Sequence, residues 1–388
     1  MKANSIVTSH VGTLPRPQRL EELCTRYELP EDQEAFKAAV PAMIAEVVRR
    51  QAEVGLAIVN DGEFSKQGGF SYYAQTRLGG LEERPAAAGP PARDITARDA
   101  ADFPGYYRAA RQKAVAAGVA RGRARSLNQP VFCVGPLTYV GHDDARFAID
   151  HLLAAARGLS VRPFLSAVAP GTIEHWLWNE HYASDEELLF AIADAMHHEY
   201  ASIAEAGILL QIDDPDLADG WQMYPAMSLE DYRRYAALRI DALNHALRGI
   251  PEEMVRLHVC WGSGHGPHTH DIPLRDIVDL VLRVRAQCYS IEAANGRHEH
   301  EWTVWQDVPL PDGKMLMPGV VGHASDVVEH PELVAQRLVR FAKLVGRENL
   351  IAGTDCGLGA RVGHAEIAWA KLDALVEGAR LANNTRQG

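Results

Sequence analysis

Short apolar runs of strand-forming residues recur along this chain and alternate with longer stretches in which apolar positions return every three to four residues. The runs are Ser5 to Ser9, Leu56 to Asn60, Val131 to Val134, Ile208 to Ile212, Val255 to Val259, Cys288 to Ile291, Met315 to Val320 and Leu350 to Ala352. Strand-sized runs separated by helix-sized segments predict parallel strands joined by crossover helices. Eight such units predict an α/β fold closed into a (β/α)8 TIM barrel, whose functional side chains lie just past the C-terminal ends of the strands. Polar residues follow the runs with a regularity that an open doubly wound sheet would not require: Ser9-His10, Asp61-Gly62-Glu63, Gly135-Pro136, Asp213 to Asp216, His258 and Cys260, Glu292, His323, and Asp355-Cys356.

The intervening segments carry helix signals. Asp185-Glu186-Glu187 precede Leu188, Leu189, Ala191, Ile192 and Ala195, so acids sit at the positive end of a helix with one apolar face. A second helix starts at Pro331, keeps Val334, Leu338, Phe341 and Val345 on one stripe, and stops at Gly346. Two segments break the alternation, about 80–129 and 163–182, and read as β→α insertions covering the barrel mouth. The first contains Tyr106-Tyr107 and reads as a helical excursion; residues 1–388 otherwise read as one domain.

At 388 residues and 47% hydrophobic content the chain buries a large core. A formal net charge of -12 argues against nucleic acid and anionic membrane surfaces and favours small-molecule substrates; a homo-oligomer is compatible. No window approaches the roughly 18 apolar residues that span a bilayer, and the N-terminus lacks a long apolar signal core, so a cytoplasmic location is expected. Five cysteines without short-range disulfide spacing fit a reducing compartment. Cys24, Cys133 and Cys288 read as packed apolar residues, which leaves Cys260 and Cys356 for chemistry.

In an extended strand, residues i and i+2 point to one side, so His258 and Cys260 can grip one metal ion between them. A buried, hydrogen-bonded pair is the other reading of the same spacing. Glu292 and Cys356, at the ends of two later runs, bring the set to nitrogen, two sulfurs and oxygen. Thiolates in such a set select zinc over magnesium or calcium.

These residues resemble the C-terminal catalytic barrel of cobalamin-independent methionine synthase, from Ser9-His10-Val11-Gly12-Thr13-Leu14-Pro15-Arg16 to the last helix. The resemblance implies a zinc ion held by His258, Cys260, Glu292 and Cys356, with Glu292 as a labile ligand, and methyl transfer to a homocysteine thiol. Zinc in that role deprotonates a thiol and keeps its sulfur nucleophilic, without redox chemistry. By the same resemblance Glu63 and Asp213 receive the ammonium of homocysteine, residues around Ser9 hold its carboxylate, and His323 is the proton donor. Asp61-Gly62 as turn chemistry and Asp213-Asp214-Pro215 as a helix cap are the plainer readings of those segments.

The chain departs from that family where the methyl donor would bind. The Gly135-Pro136-Leu137-Thr138 turn is followed by His142 and not by the Trp on which a folate pterin stacks, so a folate-type methyl donor is in question. His323 arrives one residue early in its motif, and Gly322 stands where the family has Asp. The loop Asn295 to Trp302 is dense in ionisable groups, and Arg297 is suited to an anionic group. That feature is similar to the epoxyalkane:coenzyme M transferases of the same superfamily, which alkylate a sulfonate-bearing thiol. A non-catalytic zinc-binding accessory protein is the third reading, disfavoured because a carboxylate among the ligands suits an exchangeable site. Decarboxylation of the uroporphyrinogen type needs no such ligand set.

Overall fold

The computed structural model describes residues 5–25, 30–67, 70–85, 93–120, 130–262, 264–359 and 361–385. Eight strands form a parallel sheet in the order β1 (Val7–Thr8), β11 (Ile351–Thr354), β10 (Met315–Val321), β9 (Cys288–Ile291), β8 (Val255–Val259), β7 (Leu209–Asp213), β5 (Arg162–Val168) and β2 (Ile58–Val59). The amide of Ala57 donates to the Thr8 carbonyl at 3.1 Å and links the two ends of that order. The sheet is thus the wall of a TIM barrel, with helices on its outer face.

Seven of the eight expected strands stand in this wall, and one does not. The run Val131 to Val134 begins β4 (Val131–Tyr139), which pairs antiparallel with β3 (Leu78–Glu83) and parallel with β6 (Leu177–Asn179) in a separate three-stranded sheet. Its place in the barrel is taken by β5, between β2 and β7, which starts at Arg162 and runs into the segment 163–182 expected as an insertion. Arg162-Pro163 obscures the start of that strand, because proline signals a break in an apolar run. Apolar runs of equal length look alike in sequence, and only the hydrogen-bonded neighbour distinguishes a barrel strand from a side-sheet strand.

The segment 80–129 contributes two helices, Ala97–Asp102 and Pro104–Ala120; residues 86–92 and 121–129 lie outside the described residues. Asp99 accepts from Thr269 Oγ1 at 2.8 Å and from the His270 amide at 3.0 Å, so these helices hold the loop after β8. Tyr106 donates to the His265 carbonyl of the same loop.

Capping follows the sequence signals. Ser184 accepts from the Glu187 amide at the start of the Asp185–Glu205 helix. The Pro331–Val345 helix ends at Gly346, whose φ of +86° is open to glycine at little cost. Cys24, Cys133 and Cys288 are buried. Among the described residues no helix is long and apolar enough to cross a membrane.

Candidate metal and thiol site

Strand β8 delivers His258 on its last turn of pleat and Cys260 just past its end, while Cys356 follows β11. A ring nitrogen of His258 and the sulfurs of Cys260 and Cys356 all lie within 4.8 Å of one another. His258 Nδ1 is 3.1 Å from Ser290 Oγ of β9. Its Nε2 is buried and, among the described residues, finds no nitrogen or oxygen partner, so the sulfurs are what it meets.

The two sulfurs and the imidazole act on one another's protonation. The hydrogen bond from Cys260 holds the Cys356 thiol well below its ordinary value, with His258 and His323 adding to the effect. The same contact, together with burial, pushes Cys260 well up. Burial opposes the charged form of His258, but Cys356, Asp213 and Glu292 outweigh it and raise the imidazole. An imidazole nitrogen facing two thiols, one of them held well below its ordinary value, is a donor set that suits zinc.

Glu292 is placed differently from the other three expected ligands. Its carboxylate groups with His323 and Asp355, with ligand atoms mutually within 4.8 Å. Oε1 accepts from the Trp261 amide at 3.0 Å and Oε2 from Asn295 Nδ2 at 2.7 Å. His323 is buried, and among the described residues neither ring nitrogen has a hydrogen-bond partner. Asp355 had no assigned role; its Oδ1 accepts from the amides of Ala293 and Ala294 at 2.7 and 2.9 Å, which ties the ends of β9 and β11 together. Burial and the nearby Glu292 push its carboxyl up to about 7.

On the opposite side of the barrel mouth, Glu63 holds a left-handed φ of +59° and accepts from Ser166 Oγ at 2.7 Å and from Thr13 Oγ1. Burial works against its charge, yet Lys66 beside it, with the Thr13, Ser166 and Arg16 contributions, brings the carboxyl below its ordinary value. Lys66 Nζ lies 3.6 Å from Glu63 Oε1 and 2.6 Å from the Ser166 carbonyl, almost fully buried. Sequence reading missed Lys66, although a cation three residues after Glu63 was the available signal. Asp213 has Oδ1 held by Gln211 Nε2 at 2.7 Å, and burial raises its carboxyl to about 7. No side-chain cap bond forms at the following helix, Asp216–Met223.

The remaining expected residues divide. Ser9 is buried, and its hydroxyl accepts from Arg256 at 2.9 Å. His142 is exposed at the start of the His142–Ala156 helix, edge-on to Tyr139 at 4.7 Å; among the described residues no hydrogen bond or ring contact joins it to the cluster. Arg297 is exposed and donates to the Thr269 carbonyl at 3.3 Å. It lines a cavity of about 420 Å³ together with Glu292, His323, His268, His298 and Asn295. His298, under the Trp261 ring at 4.3 Å, lies between Asp271 at 3.0 Å and Glu301 at 2.8 Å. Burial opposes its charge, but these two carboxylates raise it to about 10.

Residues 156–381 match the family model described as the catalytic domain of cobalamin-independent synthase. A methionine synthase of Thermococcus kodakarensis is 24% identical over 98% of this chain and 94% of its own length. A methionine synthase of Saccharolobus solfataricus is 26% identical over 56% of this chain, and the match spans 57% of that relative. Among solved structures, a B12-independent methionine synthase from Shewanella sp. W3-18-1, in complex with selenomethionine, superposes with a TM-score of 0.70 at 20% identity over 97% of both chains. A vitamin-B12 independent methionine synthase described as putative, from Listeria monocytogenes, gives 0.63 at 16% identity over 97% of this chain and 98% of its own. At those identities the likeness establishes the fold.

Proposed function

The chain belongs to the family of cobalamin-independent synthase catalytic domains, and from that membership we propose that it is a zinc-dependent S-methyltransferase that forms methionine from homocysteine. The observation that carries the reading is the convergence of His258, Cys260 and Cys356 from two strand ends onto one point. Zinc held by these residues, with Glu292 as its exchangeable fourth ligand, would acidify an entering thiol and keep it a nucleophile.

The rest of the chemistry falls to the protein's own groups. Asp213 offers the free half of a buried carboxyl to the acceptor's ammonium, and a cation arriving there favours the ionised form that burial resists. Glu63 is already neutralised by Lys66, so it contributes to the ammonium site by shape and hydrogen bonding more than by net charge. The sulfur takes the methyl group, and the donor atom that releases it takes a proton. His323, buried at the cavity wall with neither ring nitrogen hydrogen-bonded among the described residues, is the donor of that proton.

A folate-type methyl donor would enter through the cavity bounded by Arg297 and His323. The position of His142 gives no support to pterin stacking on that ring. Arg297 favours a second reading of the substrate, in which a thiol bearing a sulfonate, like coenzyme M, is alkylated in the same place.

Two measurements test the proposal. The zinc-loaded protein is titrated with homocysteine and with coenzyme M while X-ray absorption follows sulfur in the metal's coordination shell. Homocysteine alone is expected to add a sulfur; entry of neither thiol removes both readings. Cys356→Ala is expected to lose bound zinc, and full retention of the metal would remove the ligand assignment.

A further inference from the structure

Arg256 stands two residues before His258 on β8, so both side chains lie on the same side of the strand. It is fully buried, with its guanidinium 4.2 Å over the Phe164 ring. Nε donates to Gln211 Oε1 at 2.8 Å, one terminal nitrogen to Ser9 Oγ at 2.9 Å, and the other to the His10 carbonyl at 3.3 Å. Among the described residues no carboxylate pairs with it directly.

A guanidinium only donates, so Gln211 must turn its amide oxygen towards Arg256 and its NH2 away. That NH2 donates to Asp213 Oδ1 at 2.7 Å and to the Val11 carbonyl. A flipped amide would set oxygen against oxygen at both Asp213 and Val11. One oxygen of Asp213 is therefore fixed, and the other carries no hydrogen bond among the described residues.

We propose that Arg256 and Gln211 are positioning residues that orient Asp213 so that its free oxygen receives the ammonium of an α-amino thiol, making the pair a determinant of selectivity for amino-acid thiols over thiols lacking that group. The inference rests on the reading of Asp213 given above. Its chemistry is local to this chain: a buried cation orients an amide, the amide orients a carboxylate, and the carboxylate reads the substrate.

The test compares binding of homocysteine and of 4-mercaptobutanoate, which lacks the ammonium, to the zinc-loaded protein by titration calorimetry. Gln211→Glu keeps an acceptor for Arg256 but removes the donor to Asp213, while Arg256→Lys keeps the charge but loses the planar contact that orients the amide. In each variant the preference for homocysteine should fall by about tenfold, with 4-mercaptobutanoate affinity held within about twofold. Equal weakening of both thiols, or an unchanged preference, overturns the positioning role. Asp213→Asn separates the two levels of the argument. Loss of preference in Asp213→Asn but not in the other variants defeats the positioning alone, and an unchanged preference in Asp213→Asn defeats the reading of Asp213 as well.

Discussion

Gly319 of β10 packs against the turn that presents Cys356, and replacing it with alanine should disturb fold and metal site together. A Cβ at this position would lie 2.1 Å from Asp355 Oδ1, 2.6 Å from Asp355 Cα and 2.7 Å from Asp355 N. The carboxylate oxygen can swing aside, but the two backbone atoms cannot move without shifting Asp355 and Cys356. Both fall about 1 Å short of the roughly 3.5–4.0 Å at which non-bonded heavy atoms rest. Overpacking of this kind costs about 3 kcal/mol, the upper part of its usual range. With an unfolding entropy near 0.8 kcal/mol/K for a chain of this length, the melting temperature should fall by about 4 °C. A displacement of Cys356 by even part of that 1 Å exceeds the roughly 0.2 Å tolerance of a zinc ligand, so zinc retained after dialysis against a weak chelator should drop below about half. Thermal unfolding and metal analysis of Gly319→Ala beside Gly296→Ala provide the assay. Gly296 borders the cavity lined by Arg297 and His323 and has nothing within 4 Å of its Cβ position. A Gly319→Ala protein that melts like the wild type and keeps its zinc would refute the contact argument.

Lys66→Met should cost about 3–5 kcal/mol in urea unfolding, because it strands the buried Glu63 carboxylate; pairing it with Glu63→Gln should recover part of the loss, and a single variant as stable as the wild type would contradict the pairing. His298 is raised from its ordinary 6.5 to about 10, so its stabilising contribution is complete below about pH 6.5 and is lost as pH rises towards 10. Wild-type stability should therefore decline across that window by an amount that His298→Gln removes, and parallel pH profiles would sink this assignment. In chelator-treated protein at neutral pH, iodoacetamide should alkylate Cys356 first, because its thiol is depressed, whereas burial raises Cys133 and takes Cys288 up to about 12. Peptide mapping reads the order, and preferential labelling of Cys288 would count against it.

Much of this architecture follows from local pattern. Period-two alternation places His258 and Cys260 on one side of a strand, and seven of the eight apolar runs mark strands of the barrel wall. Both properties depend on neighbours within a few residues, so they are written in the chain directly. The helix starts signalled by Asp185 and Pro331 and the stop at Gly346 follow from the same short-range chemistry.

What only the tertiary structure decided depends on partners far apart in the chain. Strand β5 replaces β4 in the wall because its hydrogen bonds go to β2 and β7, a choice invisible in two apolar runs of similar make-up. Glu292 turns towards Asn295, His323 and Asp355 through contacts made across three strand ends. The arginine within Val255-Arg256-Leu257-His258 reads as an interruption of an apolar strand. Folding brings Ser9 and His10 from the end of β1 and Gln211 from the middle of β7 around it, and their lone pairs make a buried cation tolerable. Strand periodicity thus determines which face a side chain takes, whereas the charge it meets there is set by long-range register, since electrostatic partners are chosen by distance in space and not by distance in sequence.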